Sequence, residues 1–168
     1  AERYLETRAE KGFTVIQAVV IAQLGGLDVP NAHGAIPFED QHPTQPNEEY
    51  FEHVDFIVNK AKELGLFVGM LPCWGNYWSN NGNQIFTESN AHEYGKFLGE
   101  RYQDDPVIWI LGGDENIRND EERAIIDAMA EGLQEGDQGK NLITFHPRGP
   151  GQSSQQVHNA DWLDFNMF

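Results

Sequence analysis

The 168 residues carry 11 Lys and Arg against 27 Asp and Glu, a formal charge of −16, with 39% hydrophobic and 11% aromatic residues. That is one domain's worth of chain with enough apolar material for a core, which argues against a disordered acidic tract, and its charge repels phosphate backbones, so no nucleic acid partner is expected. The single cysteine, Cys73, excludes an internal disulfide framework, and Gln17 and Gln23 break "FTVIQAVVIAQLGG" well short of a membrane span, so no membrane partner is expected.

The opening "AERYLETRAEKG" is charged and helical in pattern, unlike a signal peptide, so an exported parent is expected to have lost its signal already. Tyr4, Leu5, Arg8 and Ala9 share one helical face before Gly12 stops the pattern. Residues 14 to 22 read as a strand, followed by a loop over 23 to 47 rich in Gly and Pro; loops that long inside a compact domain are usually functional. Asn47 is a good N-cap for a helix to Leu64, with Tyr50, Phe51, Val54, Ile57, Val58, Ala61 and Leu64 on one face and Gly65 at its end. The unit then repeats: strand 66 to 73 and helix 90 to 104, strand 107 to 112 and helix 120 to 136, strand 141 to 146, a loop with at most a short helix, and a last strand at 162 to 168. "DEERAIIDAMAEGLQEGD" in the fourth helix reads as a solvated face.

Such alternation of strand and helix predicts a parallel α/β sheet, either doubly wound or part of a (β/α)8 TIM-type barrel. Side-chain alternation separates the two. In "NLITFHPR" Ile143 and Phe145 share one face and Thr144, His146 and Arg148 the other. A doubly wound sheet is covered by helices on both faces and should be apolar on both, whereas the inner face of a barrel can turn polar toward its C-terminal mouth. No Gly-rich nucleotide loop follows any strand. The reading is therefore a partial barrel of about five parallel strands. Since a whole barrel needs about 250 residues, residues 1–168 are expected to form part of a single catalytic barrel domain lacking its first strand and its last two.

Barrel chemistry is built where strands end and βα loops begin. Those positions hold Gln17 and the loop after it, Trp74 with Tyr77 and Trp78, Asp114 with Glu115 and Asn116, His146 with Arg148, and Asn166. Aromatic faces for C–H surfaces and fixed polar groups for hydroxyls make a carbohydrate the expected partner. Glycosidic cleavage also needs a carboxyl group able to protonate the leaving oxygen. In "VIWILGGDEN" the glycines turn a buried strand sharply and present Asp114 at its tip, where desolvation should favour the proton-bearing form. Alternatively, Asp114 and Glu115 merely cap the following helix. His146 and Arg148 either hold a substrate hydroxyl, orient the acid, or simply end a strand, and Trp74 either stacks on sugar or fills the barrel. Trp162 and Asp164 read as structural. His53, His92 and His158 lack ligand spacing, so no metal and no other cofactor is expected.

Three stretches, "PTQPNEEYFEHVDFIVNKAKELGLFVGMLPCWG", "YGKFLGERYQDDPVIWILGGDEN" and "LITFHPRGPGQSS…WLDFNMF", closely resemble the apiosidase-like glycoside hydrolases, glycoside hydrolase family 140. The resemblance covers nearly the whole chain, and its "LGGD" and "TFHPRG" segments are specific. It implies a (β/α)8 barrel, often followed by a β-sandwich, that acts on plant cell-wall glycans, with release of apiose-linked side chains of pectin the known activity. The family's acid/base falls on Asp114. Its nucleophile is expected to be a Glu on a later strand, beyond Phe168, and the parent is expected to be secreted or periplasmic. A non-catalytic carbohydrate-binding barrel, an endoglucanase-like glycosidase and an unrelated open-sheet module remain the alternatives.

Overall fold

The computed structural model describes residues 1–168. In chain order the elements are α1 (Glu2–Glu10), β1 (Val15–Ile21), α2 (Glu48–Glu63), β2 (Phe67–Cys73), α3 (Glu88–Tyr102), β3 (Val107–Gly112), α4 (Asp120–Asp137), β4 (Ile143–His146) and α5 (Ser153–Val157), with 3-10 turns at Glu39–Gln41 and Gly75–Tyr77.

Local chemistry starts the helices where the chain requires. The Asn47 side chain accepts from the Glu49 amide to open α2, Thr87 and Asn90 form a reciprocal capping box on α3, and Asn119 accepts from the Glu122 amide to open α4. Each cap satisfies a donor that the first helical turn leaves free.

All neighbouring strands are parallel and their spatial order is β1-β2-β3-β4. A sequential order built from right-handed crossovers places every connecting helix on the same face, so the sheet is an arc of a barrel, not a doubly wound sheet. The register pairs Trp109 with Ile143 and Leu111 with Phe145, and all four side chains are buried. They belong to one core with Phe51 and Val58 of α2, Tyr94 and Leu98 of α3, and Met129 and Leu133 of α4.

The expected fifth strand does not form, and the sheet has four strands. The segment still lies beside β4. The Asp164 amide donates to the Ile143 carbonyl at 3.0 Å, the Asp164 carboxylate takes the Ile143 amide at 2.7 Å, and Thr144 Oγ1 donates to the Phe165 carbonyl at 2.7 Å. Two of these three bonds use side chains, which replace the backbone ladder that would define a strand. Trp162 is buried and donates through Nε1 to Asp127 at 2.8 Å, a structural role as expected.

The reading of α4 as a solvated face is also corrected. Its Glu122 and Asp137 are fully buried. Asp137 accepts from Trp109 Nε1 at 2.9 Å and from the Gly139 amide at 2.8 Å. Helices α3 and α4 pack backbone to backbone: an added Cβ at Gly95 would lie 2.4 Å from the Met129 carbonyl oxygen, and one at Gly132 only 2.1 Å from that of His92. Gly99 and Gly136 repeat the arrangement one turn on, so two glycines spaced by four residues on each helix bring the two axes together.

Candidate active site

The ends of β2, β3 and β4 are stitched together by backbone bonds. Gly112 and Gly113 take φ of +94° and +99°, and neither could carry a side chain. A Cβ on Gly112 would sit 2.4 Å from the His146 carbonyl oxygen and one on Gly113 2.8 Å from the Gly75 nitrogen. The Gly113 amide donates to the His146 carbonyl at 3.1 Å, and the Gly75 amide donates to the Gly113 carbonyl at 3.0 Å. The end of β3 is thereby held from both sides.

Asp114 follows with φ +61°, a left-handed conformation uncommon outside glycine though more accessible to Asp than to most residues. Its amide donates to Nδ1 of His146 at 3.0 Å. A cleft of about 360 Å³ opens here, lined by Asp114, His146, Pro147, Gly149, Pro150, Gly151 and Phe168. Asp114 is exposed in it, so the desolvation expected at the strand tip is absent. Trp74, at the end of β2, is half-buried, and its ring lies 5.9 Å from that of His146 at an angle of 45°.

Neighbouring side chains buttress this corner. Glu115 pairs with Arg118 and its Cβ and Cγ fill the space that Gly75 leaves open. Asn116 accepts the Arg148 amide at 3.1 Å, tying the loop after β4 to the loop after β3, while Arg148 is exposed. Buried Glu122 accepts the amides of Asn80 at 2.9 Å and Arg118 at 2.7 Å, which fastens the loop after β2 to the start of α4. Reading the helix face by its charge missed Glu122, although Asn119 followed three residues later by Glu122 is the sequence mark of a capped N-terminus.

The remaining expected site residues are not brought to the cleft. Gln17 is exposed but is the third residue of β1, well before its end. Tyr77 is buried and donates its hydroxyl to the Ala22 carbonyl at 2.9 Å, and burial pushes its pKa up. Trp78 is fully buried and donates Nε1 to the Gly112 carbonyl at 2.7 Å, so it supports the turn from within. Asn166 is exposed in the segment that forms no strand. Burial likewise pushes the Cys73 thiol up, which keeps it protonated and unsuited to nucleophilic attack. A larger cavity of about 560 Å³, lined by His33, Glu49, Glu52, His53 and Phe56, belongs to α2 and the loop before it, with no residue from a strand end.

The corner therefore offers one exposed carboxylate, an imidazole fixed against its backbone, an indole beside the imidazole, and a loop-walled cleft. That set can protonate a leaving oxygen and hold a neutral polyol. Within the cleft lining Asp114 is the only carboxylate, so a reaction requiring two carboxyl groups draws the second from elsewhere.

Comparison with known proteins bears on the family and the fold. The family model for the apiosidase-like catalytic domain matches residues 1–168. A solved glycoside hydrolase family 5 protein from Bacteroides vulgatus superposes with a TM-score of 0.85 at 32% identity, over 99% of this chain and 36% of that one. A second solved glycoside hydrolase gives 0.84 at 35% identity, over 99% of this chain and 37% of its own. The endoglucanase Cel5A of Thermotoga maritima is similar in fold alone, at a TM-score of 0.62 and 14% identity, over 89% of this chain and 45% of its own. The chain thus spans little more than a third of the length of the first two. No curated protein sequence matches it. With a family match over every residue and a strand order that fits a barrel, the chain belongs to the apiosidase-like catalytic domain family of glycoside hydrolases.

Proposed function

We propose that the chain supplies the acid/base part of a glycosidase that cleaves side chains from plant cell-wall polysaccharides, with Asp114 as the group that protonates the leaving oxygen. The observation that carries this reading is the placement of Asp114 at the end of β3, on the wall of a cleft shared with His146 and flanked by Trp74. Trp74 provides a flat face for a sugar ring and Arg148 a free guanidinium at the rim, while Glu115 and Asn116 act by holding the loops in place. Residues 1–168 are part of one catalytic barrel in this proposal. The rest of the parent protein closes the sheet beyond β1 and β4 and contributes the second carboxylate, from a strand after Phe168. The parent acts outside the cytoplasm, where its polymeric substrate lies.

The substrate is tested by incubating the full-length parent with pectic side-chain oligosaccharides and, separately, with a β-glucan, and identifying the released sugars. Release of apiose from the first with the glucan intact is the expected result. Cleavage of the glucan alone overturns the substrate assignment.

A further inference from the structure

We propose that His146 is a positioning residue that holds Asp114 in its left-handed conformation through Nδ1, and that protonation of the imidazole releases Asp114. The inference rests on the reading of Asp114 as the acid. Most histidine tautomers are open to choice, but a backbone N–H can only donate, so the Asp114 amide 3.0 Å from Nδ1 requires that nitrogen to be an acceptor. The ring is then neutral, with its proton on Nε2.

His146 is gripped twice by consecutive residues. Its carbonyl takes the Gly113 amide at 3.1 Å and its ring takes the Asp114 amide. The pair of bonds fixes where β3 stops and the direction in which the Asp114 side chain leaves the backbone. No protein group bonds to Nε2, and His146 lines the cleft, so the Nε2–H is free to donate to a hydroxyl oxygen of a bound sugar. Adding a proton to Nδ1 sets N–H against N–H. That bond is lost, and with it one of the constraints that keeps a non-glycine residue at φ +61°.

The charges around the ring are few. From the end of β3 come Asp114, in the same cleft, and Glu115, which is engaged with Arg118. From the end of β2 come Trp74, uncharged, and Cys73, held neutral by burial. On its own segment is Arg148, exposed two residues on.

The test uses the full-length parent in two arms. Long-range ¹⁵N correlation spectra of the histidine rings, followed with pH, need no catalytic activity. They should show His146 with Nδ1 unprotonated and Nε2 protonated at neutral pH, and an Asp114 amide shift that titrates with the ring. An Nδ1–H tautomer, or an Asp114 amide indifferent to that titration, overturns the proposal. The second arm compares two variants. In His146→Asn the Oδ1 stands near the position of Nδ1 and can still accept from Asp114, whereas in His146→Gln the polar group lies farther out. Both variants lose the Nε2–H donor and should bind sugar more weakly, but His146→Asn should lose at least about tenfold less kcat on an unactivated glycoside than His146→Gln, and lose the acidic limb due to the ring. His146→Gln should lose about 10²-fold, the scale of a misplaced catalytic group, and lose less on an activated aryl glycoside. Equal losses in the two variants contradict the positioning role. Should the parent prove to have no glycosidase activity, the proposed function fails while the spectra still decide whether His146 holds Asp114.

Discussion

A residue that protonates a leaving oxygen must reach the substrate with a fixed aim, and at Asp114 the aim comes from the backbone. Three consecutive positive φ values, at Gly112, Gly113 and Asp114, turn the chain out of β3 within one step. The adjacent carboxylate is spent differently, since Glu115 pairs with Arg118 and packs on Gly75. Glu115→Gln should therefore cost little catalysis, under about tenfold against the 10² to 10⁴ typical of general acid help, as read by kcat/KM on an unactivated substrate. This turn was legible because two glycines after an apolar run have few other uses, and so was the placing of Asp114 and His146 at strand ends, whereas the bond from the Asp114 amide to the His146 ring was one of several uses open to that histidine. The burial of Tyr77 and Trp78 was not, because an aromatic after a strand looks the same in sequence whether it faces a mouth or a core. A second residue-scale expectation concerns His53, whose pKa is lowered by burial first and then by the charge of His33, 4.8 Å away. A histidine with a depressed folded pKa binds its proton more readily when unfolded. Its contribution is thus fully present above the unfolded value of about 6.5 and declines as pH falls below it. Denaturant midpoints measured between pH 8 and 5 should fall less steeply in His53→Gln than in the parent; parallel curves would show that the ring is not coupled to folding.

Helices and strands were predictable to the extent that one-dimensional patterns cause them. Asn47, Thr87 and Asn119 cap helices because of their own side chains, and β1 to β4 lie within the predicted ranges because apolar runs punctuated by glycine leave few other folds. The segment 162 to 168 has the same alternation, yet its position beside β4 is taken by side-chain bonds from Asp164 and Thr144. Pairing needs a partner's backbone as well as a pattern. The close contact of α3 and α4 was invisible to a reading of charge because its determinants are absences of side chain, at Gly95, Gly99, Gly132 and Gly136. Gly132→Ala drives a methyl to 2.1 Å from the His92 carbonyl oxygen and must separate the helices. Overpacking of this kind costs about 1–3 kcal/mol or more, and each kcal/mol lowers Tm by roughly 2–4 °C in proteins of 150–250 residues. A thermal melt of the variant in the parent protein checks it; an unchanged Tm would mean that the contact yields without cost.

At the scale of the whole molecule, a four-stranded arc has two edges, β1, which is open, and β4, which is covered in part by the segment around Asp164. Phe13, Val15, Phe67, Leu142 and Phe168 also stand exposed. Open edges and loose apolar side chains favour pairing with another chain, and a formal charge of −16 opposes it. Apolar contact and strand pairing act at short range, where salt screens the repulsion. Purified residues 1–168 should therefore associate in light scattering, more at 0.5 M salt than at 0.05 M. A heat-resistant monomer under both conditions would show that the arc is stable alone.

The most direct test of the account is Asp114→Asn in the full-length parent, assayed on two substrates. The amide keeps the size and hydrogen bonding of the carboxyl group but has no proton to give. On a glycoside with a poor leaving group, kcat/KM should fall by about 10² to 10⁴, the usual worth of general acid catalysis. On an activated aryl glycoside, whose leaving group departs unprotonated, the loss should be much smaller. Equal losses on both substrates, or full activity on the first, would contradict the assignment of the acid to Asp114.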